Sequence, residues 1–321
     1  MRSSAASDVY KRQKGYRAKV TSFWMGGVTF GVGMRLSHSM GHINFAMILI
    51  HLTGCCRSDV DEILFDELLA VQSTVRDYFG WDYQADLTSA IEMSNMMSDS
   101  QPYGVPLWAL ENRKSSIRLL EKRLKSAKKV VIVGASVEEV DVGLLDDEES
   151  VIIAADGSVG AVIDYSNLVC VVTDFDGSPH IDKVADNGPV FVAHAHGDNY
   201  QRWQDLLGRW SQLASPPRLI LTHQVTEQID GLENFGGFTD GDRAVCLALA
   251  LGVNLQDITL VGFSTTKVGK WSGQTNPERK LEKLDWMLKV LEIIGLSNQV
   301  TTHASGAVSY THLRAHETRY H

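Results

Sequence analysis

The sequence predicts an α/β fold, an open and mostly parallel sheet with helices on both faces, preceded by a helical N-terminal region. Six short apolar runs, most of them rich in Val and Ile, lie between residues 129 and 272. Continuous apolar runs are typical of parallel strands that are buried on both faces, and most of the intervals are long enough for crossover connections. Apolar residues at helical spacing precede these runs from about residue 61.

Composition bounds the class of protein. The chain has 321 residues, of which 44% are hydrophobic and 21% charged, and a formal net charge of −9. Such a balance is typical of a globular protein of two or three domains, and the negative charge argues against binding to nucleic acid or to an anionic membrane. The four Cys form no Cys-x-x-Cys pair, which predicts a reduced cytoplasmic protein without a disulfide framework.

The two ends are not expected to belong to the fold. Residues 1–13 and 308–321 show no helical or strand period and resemble translated sequencing-adapter read-through, so we exclude them from fold reasoning. Residues 14–60 are apolar only in patches, which favours an extension outside the fold over a membrane anchor, since a spanning helix needs roughly 20 consecutive apolar residues. The remaining chain divides into a helical region at 61–128 and an α/β domain at 129–296.

The elements follow in chain order. Helical spacing covers 60–75 and extends to 87–96, a break rich in Pro and Gly follows at 101–106, and a second helix covers 107–125. The expected strands are 130–133, 151–154, 168–172, 189–193, 218–221 and 258–261. A last helix over 280–296 is expected to pack on the fold, with Lys280 and Lys283 on its other side.

Small or polar residues follow every expected strand. They are residues 134–136 (Gly-Ala-Ser), 155–157 (Ala-Asp-Gly), 173–177 (Thr-Asp-Phe-Asp-Gly), 194–199 (His-Ala-His-Gly-Asp-Asn), 222–224 (Thr-His-Gln) and 262–264 (Gly-Phe-Ser). In open α/β sheets, ligands bind outside the carboxyl ends of the strands. The coincidence across six strand ends therefore predicts one polar site at that edge.

Asp174 and Asp176 are the candidate metal ligands. They are two residues apart, so both face the same side if the strand period continues. Paired carboxylates suit Mg²⁺, which is bound by one or two carboxylates together with phosphate oxygens. The alternative is a simple turn. An EF-hand loop is excluded, because Pro179 and Ala185 stand where Gly and Glu would be required.

Residues 194–199 include candidate ligands for zinc rather than magnesium. His194, His196 and Asp198 form the His-x-His-x-Asp pattern of a zinc hydrolase, but Asn199 stands where another His normally follows. No Cys ligands or His-Glu-x-x-His motif complete a tetrahedral site. The other interpretation is that neutral imidazoles bind phosphate or a heterocycle.

Residues 234–243 predict a buried helix that begins at a ligand. Thr239 is expected to cap a helix starting near Asp240, with Asp242 in its first turn. The apolar run 244–251 predicts that this helix is buried, so its free N–H groups would suit a phosphate. Capping alone leaves Gly236, Gly237 and Arg243 unexplained, and the two glycines would permit close approach to a ligand.

These motifs together resemble the archaeal 6-hydroxymethyl-7,8-dihydropterin pyrophosphokinase family. The runs at 154–157, 173–177, 194–199 and 234–243 carry the resemblance in order and rough spacing, over about residues 61–296. The Asp-Gly portions are also similar to thiamin pyrophosphokinases. One departure is that the family's first turn resembles Gly-Ala-Gly-Pro-Ser, whereas here Gly134 and Ala135 run directly into Ser136.

The resemblance implies a Mg²⁺-dependent transfer of diphosphate from ATP to the pterin hydroxymethyl group, releasing AMP, in methanopterin or folate biosynthesis. Its expected partners are ATP and a reduced pterin alcohol, in a protein that is a candidate homo-oligomer. Asp174, Asp176 and His196 are the catalytic candidates, with Asp174 and Asp176 on the metal. The candidates for ATP or substrate binding are Gly134, Ser136, Asp156, Gly157, His194, Asp198, Asn199, Gln224, Asn234, Gly236, Gly237, Asp240, Asp242 and Arg243, with Lys267 as a weaker phosphate contact.

Two other functions stay open at this point. One is a zinc-dependent hydrolase built on His194, His196 and Asp198. The other is a nucleotide-sugar glycosyltransferase of the related motility-accessory branch, because a shared fold does not determine the reaction. The absence of the P-loop pattern and of Gly-x-Gly-x-x-Gly after the first strand disfavours a P-loop NTPase and a dinucleotide dehydrogenase.

Overall fold

One parallel sheet organises the part of the chain that is described. A computed structural model describes residues 57–302 except 139–140, 142–144, 146–148, 163–165 and 274–275, so both adapter-like ends and residues 14–56 lie outside it. Within these residues six strands pair in the order β5-β4-β3-β2-β1-β6, all parallel. The strands are β1 (Lys129–Val133), β2 (Ser150–Ala155), β3 (Leu168–Thr173), β4 (Val190–His194), β5 (Arg218–Thr222) and β6 (Ile258–Val261).

Helices precede, connect and follow the strands. They are α1 (Arg57–Phe79), α2 (Tyr83–Met96), α3 (Leu110–Ser126), α4 (His180–Val184), α5 (Tyr200–Trp210), α6 (Asp240–Ala250) and α7 (Pro277–Ile294). The predicted fold class is confirmed, including the helical N-terminal region, and each of the six apolar runs forms a strand. Helix α7 begins before the predicted residue 280 because Pro277 opens it and the Asn276 side chain caps it, accepting the Arg279 N–H at 3.0 Å.

Both faces of the sheet are buried, which explains the continuous apolar runs. Val130 and Ile132 of β1 pack in one core with apolar residues of α1, α3, α6 and α7. Val131 and Val133 alternate to the opposite core, where Trp203 and Trp210 of α5 are buried. Alternate residues of one strand therefore meet different helical layers, and every strand position favours an apolar side chain.

The order of the strands places a crevice beside β1. The chain steps from β1 to β5 in one direction and then returns to add β6 on the other side of β1. The ends of β1 and β6 are joined by hydrogen bonds from the Gly134 N–H to the Val261 carbonyl at 2.8 Å and from the Ser136 N–H to the Gly262 carbonyl at 2.9 Å. Ligand sites of open α/β sheets lie at such a reversal of strand order.

The N-terminal helices pack on the sheet rather than standing apart from it. Leu68 of α1 is fully buried in the first core, and Met93 of α2 is fully buried in the second. Trp108, which precedes α3, donates its indole N–H to the Pro217 carbonyl at 2.8 Å just before β5. Among the described residues, no helix is both long and apolar enough to span a bilayer.

Candidate functional site

Three carboxylates meet at the ends of neighbouring strands. Asp156 follows β2 directly, whereas Asp174 and Asp176 follow β3. One oxygen of each lies within 4.8 Å of the others, and in the described part of the chain no other group of three His, Cys, Asp or Glu side chains converges in this way. The structure thus brings together Asp174 and Asp176 and adds Asp156, which the sequence had placed among the substrate contacts.

A left-handed turn, not the strand period, brings Asp174 and Asp176 together. Phe175 between them adopts φ 71° and is 1% exposed, with its ring 5.8 Å from that of Trp210. The Thr173 hydroxyl accepts the Phe175 N–H at 2.7 Å and donates to Asp156 at 2.5 Å. A non-glycine residue in this region costs about 1–2 kcal/mol, and such strain concentrates where function requires a particular geometry.

The carboxylates repel one another strongly. Burial, followed by the charges of Asp176, Asp240 and Asp174, raises the pKa of Asp156 well above its ordinary value. Burial and the charge of Asp174 also raise the pKa of Asp240 well above its ordinary value. The pKa of Asp174 is lowered instead, because the effects of His196, Arg243 and Lys280 exceed that of burial.

This donor set fits a hard divalent cation. The second oxygen of Asp174 is buried and has no hydrogen-bond partner among the described residues. Oxygen ligands with uncompensated negative charge are those that Mg²⁺ prefers, and a cation would relieve the repulsion among them. Asp156, Asp174 and Asp176 are therefore the residues that would hold Mg²⁺.

Two histidines stand behind Asp174, and both ring nitrogens of each lie near polar atoms of the protein. The Nδ1 atom of His196 accepts the Asp198 N–H at 3.3 Å, so its proton is on Nε2 and points to Asp174 at 3.4 Å. His194 is buried, with Nδ1 2.9 Å from the Thr222 hydroxyl and Nε2 3.4 Å from the Gln224 side-chain oxygen. Burial, followed by the charges of Arg243 and His196, lowers the pKa of His194 well below its ordinary value, which keeps it neutral.

The zinc alternative is not supported by this arrangement. The rings of His194 and His196 are 6.1 Å apart, and both nitrogens of His194 have partners within the protein. Asp198 is exposed, and the three side chains do not converge on a common point as the Asp cluster does. A zinc site needs at least three ligands around one position.

Arg243 links the acidic cluster to the histidines. It donates to the Gln224 side-chain oxygen at 2.8 Å and approaches Asp240 at 3.4 Å. Its Nε is buried without a hydrogen-bond partner among the described residues. Gln224 in turn donates to Asp86 of α2 at 2.9 Å, so the sequence-predicted pair of Gln224 and Arg243 is joined.

Asp86 is a positioning residue that the sequence analysis missed. Its carboxylate accepts the Arg76 guanidinium at 3.1 Å and the Gly197 N–H at 2.8 Å, in addition to Gln224. The Arg76–Asp86 pair is almost fully buried. An acidic residue near the start of a helix gave no signal beyond a favourable dipole contact, because its partners are remote in sequence.

Several predicted binding residues are occupied in holding the backbone. Asp242 accepts the Phe238 and Thr239 N–H groups at 2.7 Å each and forms the predicted capping box with Thr239. Asn199 is fully buried and donates to the carbonyls of His194 at 2.6 Å and Asp174 at 3.0 Å. Neither side chain has room for a ligand, so both position the loops of the site.

Residues 234–237 make close contacts with neighbouring parts of the fold. Asn234 exchanges amide hydrogen bonds with Gln72 of α1, at 3.0 and 3.1 Å. A Cβ at Gly236 would lie 3.0 Å from that of Leu68, and one at Gly237 would lie 2.8 Å from the Arg243 backbone. Gly236 permits its loop to lie close to α1, Gly237 permits it to lie close to the start of α6, and both adopt positive φ.

A cavity opens in front of the carboxylates, where β1, β2 and β6 end. Of the predicted residues, those lining it are Gly134, Ser136, Asp156, Gly157, Asp176 and Asp240. Trp271 in the loop after β6 and Lys280 of α7 also line it, although neither was predicted from the sequence. Lys267 lies elsewhere and pairs with Glu138 on the surface.

The resemblance seen in the motifs is confirmed by comparison with known proteins. The chain is 39% identical over 155 residues to the 6-hydroxymethyl-7,8-dihydropterin pyrophosphokinase of Pyrococcus furiosus, covering 46% of this chain and 63% of that protein. It is 34% identical over 159 residues to the protein of the same name from Methanothermobacter thermautotrophicus, again covering 46% and 63%. For the Methanocaldococcus jannaschii protein the identity is 26% over 183 residues, covering 54% and 69%.

The similarity is partial in extent. The matched region covers 63% of the length of the first two relatives. No family model matches the chain.

Replacing Gly237 by Ala is expected to destabilise the protein by at least about 1 kcal/mol, because a side chain at positive φ is strained and its Cβ would meet the Arg243 backbone. Gly208→Ala in α5 is the matched control, since nothing lies within 4 Å of its Cβ, and it should stabilise by roughly 0.5–1 kcal/mol. Urea unfolding measures both. Equal stability of the two variants would contradict the packing role of Gly237.

Replacing Asp86 by Asn is expected to lower the free energy of unfolding by about 3–5 kcal/mol, because it leaves the buried Arg76 charge without a carboxylate. Glu121→Gln, which breaks an exposed pair with Lys125, should cost less than about 0.5 kcal/mol. Denaturant titrations of both variants at pH 7 make the comparison. If Asp86→Asn is no less stable than Glu121→Gln, the hydrogen bonds of Asp86 do not contribute to the stability of the fold.

Proposed function

We propose that this protein transfers diphosphate from ATP to 6-hydroxymethyl-7,8-dihydropterin, giving the pterin diphosphate and AMP. The convergence of Asp156, Asp174 and Asp176 at the edge of the sheet is the observation that carries the proposal. The names of the curated relatives support the reaction class. The activity remains a proposal for the whole chain because the match covers 63% of the first two relatives.

The chemistry follows from the geometry of the cavity. The pterin hydroxyl oxygen forms a bond to the β-phosphorus of ATP and releases its proton to solvent. The bond from that phosphorus to the oxygen that bridges it to the α-phosphorus breaks, and AMP departs with the electron pair. Mg²⁺ bound to the three carboxylates would neutralise charge on the phosphate oxygens. Catalysis of such a transfer depends mainly on positioning and charge, which the surrounding side chains supply.

His196 acts in this proposal by holding Asp174. Its Nε2 proton points to the Asp174 carboxylate and its Nδ1 accepts a backbone N–H. With both nitrogens engaged, the ring is set to keep Asp174 ionised and oriented rather than to receive the proton of the substrate. We therefore assign His196 a positioning role in place of the catalytic role predicted from the sequence.

Diphosphate transfer is favoured over glycosyl transfer by two observations. The relatives described above are named pyrophosphokinases, and the carboxylate cluster suits a metal-bound polyphosphate. The proposed place of the protein is the biosynthesis of a pterin cofactor, either methanopterin or folate, in the cytoplasm. Its proposed small-molecule partners are ATP and the reduced pterin alcohol.

The reaction is tested by incubating the protein with ATP, Mg²⁺ and the reduced pterin alcohol and resolving the nucleotides by chromatography. AMP and the pterin diphosphate are expected in equal amounts, and chelation of Mg²⁺ by EDTA should stop their formation. ADP as the nucleotide product would show phosphoryl rather than diphosphate transfer. Activity that is unchanged both by EDTA and by added Zn²⁺ would exclude the proposed role of bound Mg²⁺.

Asp174→Asn is expected to lower AMP formation roughly 100-fold at saturating Mg²⁺, because the variant loses a charged metal ligand at the reacting phosphate. Asp205→Asn in α5 is the matched control, since this exposed Asp accepts a hydrogen bond from Gln201 and lies outside the cavity lining. Initial rates of both variants give the comparison. Near-normal turnover by Asp174→Asn would remove the metal role of this residue.

A further inference from the structure

Helix α7 brings cations to the acidic cavity, although the sequence analysis expected Lys280 and Lys283 on its outer side. Lys280 lines the cavity together with Leu284 and Met287 of the same helix. It lies close enough to lower the pKa of both Asp174 and Asp240, although burial is the largest influence on each. Among the described residues, Lys280 forms no ion pair within 4.0 Å.

The positive charge extends beyond Lys280. One turn further along α7, the Lys283 ammonium lies 5.2 Å from the centre of the Trp81 ring. Burial lowers the pKa of Lys283; Asp174 opposes this, and Lys280, Arg279 and Arg243 lower it further. Lys280, Arg279 and Arg243 are thus each close enough to repel the Lys283 ammonium.

The cavity therefore carries both signs of charge. Asp156, Asp176 and Asp240 line it together with Lys280, and the first residues of α6 contribute the positive end of a helix dipole. A bare anion would be repelled by the carboxylates, and a bare cation by the lysines. A polyphosphate that carries its own divalent cation complements both, since the metal meets the carboxylates and free oxygens meet the ammonium groups.

We propose that Lys280, supported by Lys283, binds the non-bridging oxygens of a metal-bound polyphosphate, the triphosphate of ATP if the proposed function is correct. Lys283 lies over the Trp81 ring, one turn along α7 from Lys280, so its charge adds to that of Lys280. Helix α7 is then the polyphosphate-binding arm of the site, and its lysines set the affinity for the nucleotide rather than for the pterin.

The competing role for Lys280 is a counter-ion that merely reduces repulsion among the carboxylates. The two roles predict the same change for Mg²⁺ alone and opposite changes for Mg²⁺·tripolyphosphate. If Lys280 binds phosphate, Lys280→Gln binds Mg²⁺ alone as well as or better than the wild type but binds Mg²⁺·tripolyphosphate more weakly. If it is only a counter-ion, both probes bind Lys280→Gln at least as tightly as the wild type.

Isothermal titration with Mg²⁺, Mg²⁺·tripolyphosphate and Mg²⁺·ATP measures these affinities. We expect Lys280→Gln to weaken both polyphosphates by about tenfold or more, as for loss of a charge-assisted hydrogen bond. Lys283→Gln should weaken them less, and Lys280→Arg should restore most of the affinity. Lys289→Gln is the matched control on the same helix, since Lys289 is exposed and contacts the Trp286 ring.

The outcomes separate this proposal from the proposed function. If the wild type forms AMP and Lys280→Gln matches Lys289→Gln in tripolyphosphate affinity and in KM for ATP, the role of Lys280 is overturned and the reaction stands. If no AMP forms but Lys280→Gln selectively loses tripolyphosphate, the polyphosphate site stands without the reaction. Failure of the wild type to bind Mg²⁺·tripolyphosphate overturns the site itself, and thermal unfolding of each variant verifies that it is folded.

Discussion

The repulsion among buried carboxylates is the constraint on which the rest of the structure depends. Asp156, Asp174 and Asp176 lie close together where β2 and β3 end, the first buried and the other two partly buried. Burial makes their negative charges costly. Such a cluster persists only if other parts of the fold hold it. Thr173 joins the two strand ends, and Phe175 is locked in a left-handed turn by packing against Trp210. The core of the protein thus supports a local arrangement that is unfavourable without a bound cation.

The N-terminal helices are part of this support. A chain of hydrogen bonds runs from Arg76 through Asp86 and Gln224 to Arg243, which reaches Asp240 in the cavity. Asp86 also fixes the turn after β4 through the Gly197 N–H. The α/β sheet provides the strand ends, and Arg76 of α1 and Asp86 of α2 hold Gln224 and the turn at Gly197 beyond those ends.

The fold was predictable because its signals are local, whereas much of the site depends on pairs that are remote in sequence. The runs rich in Val and Ile predicted the strands, and Thr239 with Asp242 predicted the start of α6. The motifs also predicted the acidic cluster, although a turn, and not the expected strand period, brings its residues together. The close packing of Gly236 and Gly237 was not predicted, because the residues that approach them, in α1 and α6, cannot be inferred from neighbouring residues. The inward side of α7 escaped prediction because an amphipathic pattern does not say which charged residues border a cavity.

The motif at 194–199 shows why a distinctive sequence need not touch a ligand. Asn199 binds the carbonyls that follow β3 and β4, and His196 donates to Asp174 from behind. Substituting either residue would move the acidic cluster even though neither lines the cavity in front of it. These side chains are specified by the geometry of two adjoining loops, and so the motif identifies the architecture that holds the three carboxylates more directly than it identifies a ligand. The chemical character of the substrate is expressed instead by the cavity, where carboxylates from the strand ends face a lysine from the last helix.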